Sequence, residues 1–175
     1  MAVHARLFNR EKALEAILFI AAKIQQPTMH GIAKMLYLAD KRHLQEYGRL
    51  ICGDRYIAME YGPVPSAIYD MMKVPTGRVR IDPDIDEIIV EAFDIAHGRT
   101  VVPKREADTA LLAESEVGCL NSAIEEHGRK SFGQLTDLTH DAAYEATDEN
   151  QPIALSAIVR TLPNADELIA YLDAR

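Results

Sequence analysis

Two acid–histidine pairs are the first places in this sequence where chemistry could reside. Asp40 and His43 stand three residues apart in a helical stretch, so they share one helical face, and His140 is followed directly by Asp141. A carboxylate beside an imidazole can relay a proton or supply two ligands to a metal. Neither pair brings the further ligands a metal requires. A surface hydrogen bond among Asp40, Lys41, Arg42 and His43 accounts for the first. His140 follows the apolar positions Leu135 and Leu138, where a histidine at a helix C-terminus interacts favourably with the last carbonyls. Cys52 and Cys119 are far apart, lack metal spacing and read as buried thiols. No Gly-rich phosphate loop, His-Glu-x-x-His, Cys-x-x-Cys or Gly-x-Ser-x-Gly motif occurs. The chain is therefore read as a non-enzyme, with no catalytic residue, cofactor or metal assigned.

The elements that would position these residues are mainly helical. From Asn9, Leu14, Ile17, Leu18 and Ala21 recur at helical spacing, and Phe19 and Ile20 widen the stripe to most of the circumference, which marks a central core helix ending near Gln26 before Pro27. A second helix opens on Thr28 as N-cap, buries Ile32, Met35, Leu36 and Ala39, and closes at Gly48. The short link at Pro27 makes the two helices neighbours. Short helices are expected over Ser66 to Lys73 and after Asp82-Pro83. Later ones carry Val117, Leu120 and Ile124, closed by Gly128, and Leu135 and Leu138, opened by a Ser131–Gln134 capping box. Asn150-Gln-Pro-Ile153 reads as the start of another, and Asn164–Glu167 as a capping box for the last. Ala92 to Ala96 and Thr100 to Pro103 alternate around a His97-Gly98-Arg99 turn and predict a hairpin.

The least generic stretch runs from Ile51 to Tyr69. Gly53-Asp54 is turn chemistry, Tyr56 to Met59 has strand content, and Tyr61-Gly-Pro-Val-Pro65 reads as a sharp stop before the next helix. This segment and the 92–103 hairpin are expected to pair with each other. The fold class is thus mainly α (α+β): a compact helical domain with a small antiparallel sheet made of two hairpins. Residues 1–175 read as one domain, with 148–175 a C-terminal helical extension.

Composition narrows the partners. With 27 acidic and 19 basic residues the formal charge is −8, which disfavours nucleic acid, since phosphate neutralisation supplies most non-specific affinity. Arg78, Arg80, Arg99, Lys104 and Arg105 are interrupted by Asp82, Asp84, Asp86 and Glu87, giving a mixed surface. A helix-turn-helix around Gly128–Ser131 would read DNA with Gln134, Thr136 and Asp137, without an Arg or Lys on that helix for phosphate. The longest apolar run, Ala16 to Ala22, is too short to span a bilayer, and the first residues lack a signal-peptide run, so the chain reads as cytoplasmic with no membrane contact.

Several blocks resemble one family. Ala33-Lys-Met-Leu-Tyr-Leu-Ala-Asp40 is similar to its Lys-Leu-Leu-Tyr helix, and Ile57-Ala-Met-Glu-Tyr-Gly-Pro-Val64 with Tyr69 resembles its Ala-Trp-x-Tyr-Gly-Pro-Val-x-x-x-x-Tyr signature, with Met59 where many members have Trp. Pro103 to Asp108, Ser131-Phe-Gly-Gln-Leu135 and Leu138-Thr-His140 are similar to its later blocks. The family is the Panacea domain, or SocA-like antitoxins, and the resemblance covers roughly residues 10–147. It implies a mostly helical domain that neutralises a toxin encoded beside it by direct contact. In one branch it implies delivery of the toxin to an AAA+ protease such as ClpXP instead. DNA-binding autoregulation of its own operon is a third reading. For direct binding, an acidic surface suits a basic toxin, and tyrosines are favoured anchors. The candidate partner-binding residues are Asp54, Arg55, Tyr56, Met59, Tyr61, Pro63 and Val64. Several have a structural alternative: core packing for Tyr56, Tyr61 and Val64, as for the neighbouring Tyr69, and a turn with an exposed ion pair for Asp54 and Arg55.

Overall fold

Helix α2, Met29–Tyr47, is the element on which the others are laid in this computed structural model, which describes residues 8–174. Before it comes α1, Arg10–Ala21. After it come β1 (Tyr56–Met59), β2 (Gly62–Pro65), α3 (Ser66–Lys73), α4 (Pro83–Ala92), β3 (Phe93–Ala96) and β4 (Thr100–Pro103). Helices α5 (Glu114–His127), α6 (Phe132–Thr139), α7 (Ala142–Glu145), α8 (Leu155–Arg160) and α9 (Ala165–Asp173) complete the chain. The architecture is mainly α with two small antiparallel two-stranded sheets.

The capping residues explain where the first two helices lie. Asn9 Oδ1 accepts from the Lys12 amide at 3.0 Å, and Thr28 Oγ1 from the Gly31 amide at 3.0 Å. Gly48 closes α2 at φ 68°, a left-handed conformation that costs a glycine nothing. Helix α1 is buried continuously from Ala13 to Ala21, as a stripe around most of its circumference requires. It ends at Ala21 instead of near Gln26. The Gln25 amide bonds to the Gly128 carbonyl at 3.1 Å, so the link to α2 is tied to the end of α5 and leaves the helical path.

The 51–69 stretch contains a complete hairpin. Gly62–Pro65 is the returning strand, not a stop, with Tyr56 opposite Pro65 and Ala58 opposite Pro63. Ala58 donates its amide to Gln151 and accepts from the Asn150 amide, while the Tyr56 carbonyl accepts from Ile153. Tyr56 and Ala58 therefore turn their peptide groups away from β2, and both prolines fall where the ladder needs no N–H. The same bonds make residues 150–153 an extended cover on the free edge of β1, so the helix expected at Asn150 begins only at Leu155. The second hairpin forms over the expected residues, but the two do not pair with each other. Strand β4 instead joins the α1–α2 link, through Val101 N–H to the Pro27 carbonyl and Met29 N–H to the Arg99 carbonyl, both at 2.8 Å.

Two apolar cores flank α2. The larger holds Leu14, Ile17, Leu18, Ile32, Met35, Ile68, Phe93 and Leu120. The smaller holds Tyr37, Leu44, Tyr56, Ile158, Val159 and Leu168, so residues beyond 148 pack on the opposite side of α2. The capping box of α6 forms as expected, with Ser131 and Gln134 bonded reciprocally. That of α9 does not: Asn164 Nδ2 donates to the Gln45 carbonyl near the end of α2, at 3.0 Å, so the side chain serves a different helix.

Candidate partner-binding site

The acid–histidine pairs come apart in three dimensions. His43 is fully buried, not on the surface, and its ring nitrogens meet the Arg49 carbonyl at 2.8 Å and Ser115 Oγ at 3.1 Å. Asp40 faces elsewhere, accepting from the Ile51 amide and the Tyr56 hydroxyl, each at 2.7 Å. Asp141 caps α7 through the Ala143 and Tyr144 amides and takes Lys41 Nζ at 2.7 Å. The His140 ring stacks on Tyr144 with centroids 4.1 Å apart and makes no side-chain bond to the helix carbonyls. Cys52 and Cys119 are buried free thiols. No group of three or more His, Cys, Asp or Glu side chains among the described residues is placed to hold a metal.

The hairpin root is a buried polar knot. Tyr56 is 1% exposed, packs on Tyr37 with ring centroids 5.0 Å apart and gives its hydroxyl to Asp40. Burial, together with the bond to Asp40 and the charge there, pushes the Tyr56 phenol well up. Asp54 is buried and forms no exposed ion pair with Arg55. It accepts the Arg55 amide at 2.7 Å, and then the Ala67 and Ile68 amides at 3.2 and 2.8 Å. Helix α3 starts after Pro65, which has no side chain to cap it, so Asp54, two residues before β1, supplies the missing cap. Asp54→Ala should cost about 2–3 kcal/mol, because the Arg55, Ala67 and Ile68 amides lose their acceptor, the last of them buried. Urea unfolding would show it as a lower midpoint at unchanged slope, and a loss below 1 kcal/mol would contradict the capping role.

The hairpin tip is held as firmly as its root. Gly62 sits at φ 117°, which favours glycine, and Lys34 Nζ lies 2.7 Å from where a Cβ would stand. Lys34 Nζ donates to the Tyr61 carbonyl, and the Tyr144 hydroxyl donates to the Met59 carbonyl at 2.8 Å. On this mount Tyr61 projects outward, 46% exposed. Its ring lies 5.9 Å from His30 and 5.7 Å from Phe132, and Phe132 is itself 39% exposed. His30 continues the array to Tyr69, whose hydroxyl lies 3.2 Å from His30 Nε2, leaving Tyr69 half-buried. Burial and the neighbouring Lys34 charge lower the His30 pKa.

Of the seven candidate residues, Arg55 and Tyr61 are exposed and Met59 is half-buried, while Asp54, Tyr56, Pro63 and Val64 are buried. Sequence reasoning missed His30, Lys34, Phe132 and Tyr144, which bring α2, α6 and α7 to the hairpin tip. Lys34 and Phe132 did lie in singled-out blocks, but nothing local revealed that they converge.

A family model described as "Antitoxin SocA-like, Panacea domain" matches residues 32–145. No curated protein and no solved structure matches the chain. The matched span contains the hairpin, its mount and every aromatic residue of the tip except His30, which lies two positions before it.

Proposed function

The chain belongs to the SocA-like antitoxin, Panacea-domain family, and from that premise we propose that it neutralises a toxin by direct protein–protein contact at the hairpin tip. Met59 and Tyr61 supply the hairpin's side of the contact, Phe132 supplies α6's, and Arg55 lies at the exposed margin. Asp54, Tyr56, Pro63 and Val64 act behind it by fixing the backbone. The observation carrying this reading is the pairing of two large, exposed aromatic rings, Phe132 on α6 and Tyr61 on a hairpin fastened at both root and tip. A preorganised aromatic patch loses little entropy on binding, which is what an energetic hot spot requires. A formal charge of −8 favours encounter with a basic partner.

Co-expression with the product of the adjacent reading frame tests it. Tyr61→Ala and Phe132→Ala should each weaken the complex by about 2 kcal/mol, roughly 30-fold, and Tyr61→Asp should abolish growth rescue. Full affinity in all three folded variants would move the site elsewhere. Rescue should persist in cells lacking ClpXP; its loss there would instead identify an adaptor that delivers the toxin. A mobility shift on the chain's own promoter at physiological salt would favour autoregulation.

A further inference from the structure

Beneath the two exposed rings lies a cation without a counter-ion. Lys34 is 1% exposed, and no carboxylate among the described residues comes within ion-pair distance of its Nζ. Its contacts are the Tyr61 carbonyl, the Thr139 hydroxyl at 3.5 Å and the Phe132 ring, whose centroid is 5.7 Å away. An ammonium has three donors, and neither oxygen brings negative charge to the third. Asp141, one residue past His140, is committed to Lys41 and Tyr37. Anchoring a hairpin does not need a charge here, since a buried charge left unpaired is costly.

The surroundings are also short of acceptors. Five buried side-chain atoms among the described residues lack a hydrogen-bond partner, and three belong to this region: His30 Nδ1, Thr136 Oγ1 and His140 Nε2. His30 is one helical turn before Lys34 on α2. Thr136 is one turn before His140 at the end of α6, and the His140 ring and Thr139 hydroxyl both approach the place where a Gly62 Cβ would stand. Each orphan can donate, the histidines in the tautomer that protonates that nitrogen. A buried ammonium with no counter-ion, in a region that leaves three donor groups idle, is suited to an anion.

We propose that the toxin completes this site with a carboxylate, from an Asp or Glu side chain or a C-terminus, which parts the edge-to-face contact of Tyr61 and Phe132 and becomes the counter-ion of Lys34. The inference rests on the direct-contact reading above and adds the chemistry of the partner's anchor. Once parted, the two rings pack around the pair and exclude water from it, which strengthens it. The acidic character of the whole chain governs approach of a basic toxin, whereas this buried cation selects a single acidic group within the interface.

Proton linkage gives the test a readout that a purely structural lysine would not produce. In the free chain burial lowers the Lys34 pKa to about 8, so at about pH 8.5 much of the population is neutral, and pairing with a carboxylate restores the proton. His30, whose pKa burial lowers, and Tyr69, whose phenol burial raises, face the same site together with His140 and Tyr61, so the Lys34→Met comparison is what assigns the uptake to the lysine. The probe is the adjacent gene product, titrated calorimetrically at about pH 8.5 in buffers of different ionisation enthalpy. Wild type should take up about half a proton or more per complex, while Lys34→Met should lose that uptake and bind roughly 10- to 100-fold more weakly. Tyr144→Phe, which loosens the same tip from its other side, should keep the uptake whatever its affinity. Wild-type binding without uptake, or Lys34→Met binding with unchanged uptake and affinity, overturns the carboxylate anchor while leaving direct contact intact. Failure of wild type to bind overturns both.

Discussion

Glu116→Ala should destabilise the fold by about 3–5 kcal/mol, the range for removing one member of a buried ionic cluster. Glu116 is fully buried on α5, and its Oε1 receives Lys12 Nζ and Arg49 Nη1, each at 2.6 Å. Its Oε2 accepts the Ala113 amide at 2.8 Å, at the start of its own helix. Truncation would leave two cations facing each other across a hole, together with an unpaired helix amide. Lys12 and Arg49 keep 19% and 24% of their side chains exposed, so water can partly rescue them and the lower half of the range is expected. Burial alone would raise the Glu116 pKa; the Lys12 bond, the Ala113 amide and Arg49 outweigh it and hold the carboxyl below its usual range. A depressed carboxyl stabilises the fold above its unfolded value of about 4.5, and that contribution disappears as pH falls through the folded pKa. The gap between wild type and variant should therefore be full at pH 7 and shrink towards pH 3. Equilibrium denaturation at both values measures it, and a pH 7 difference under 1 kcal/mol would refute the clamp.

The same cluster shows why some of this molecule is legible in its sequence and some is not. Thr28, Gly48, Ser131 and Gln134 act on amides or carbonyls three or four residues away, so caps and helix spans follow from local pattern. The 93–103 hairpin announces itself the same way, by alternation around a Gly turn. Lys12–Glu116, Arg105–Glu15 and Lys34–Tyr61 join residues that no periodicity relates. Glu15 sits in the middle of an apolar helix stripe, and only the two-pronged bond from Arg105 and the Asp108 amide makes its burial tolerable. Strand β2 was hidden for a different reason. Its prolines argue against a strand until one knows that residues 150–153 take the β1 groups opposite them. In the candidate site, the Tyr61 motif was visible and its exposure was not, because exposure depends on how far α6 closes over the tip.

Asp40→Asn should remove a pH dependence that wild type carries between about pH 4 and pH 7. Asp40 is 2% exposed, and burial raises its pKa from 3.8 to about 7, against the opposing bonds from the Ile51 amide and Tyr56 hydroxyl. The neighbouring charges of Asp54 and Glu116 push in the same direction as burial. For a carboxyl raised by folding the sign is the reverse of that for Glu116. The native state holds a proton that the unfolded chain has released, so this group's stabilisation is complete below pH 3.8 and is lost as pH climbs through 7. The loss is about 1.4 kcal/mol per pH unit, on the order of 4 kcal/mol in all. Asparagine keeps an acceptor for the Ile51 amide and offers an N–H to the Tyr56 oxygen, so the knot at the hairpin root can re-form without a titrating group. Wild type minus variant stability, measured by denaturation from pH 4 to pH 8, should fall steadily over that interval and then level off. A flat difference would mean that Asp40 stays ionised throughout, held by its two hydrogen bonds alone. Because Asp40 touches the hairpin's root and not its tip, toxin affinity at pH 8 should be unchanged in the variant, which separates the residues that hold the platform from those that use it.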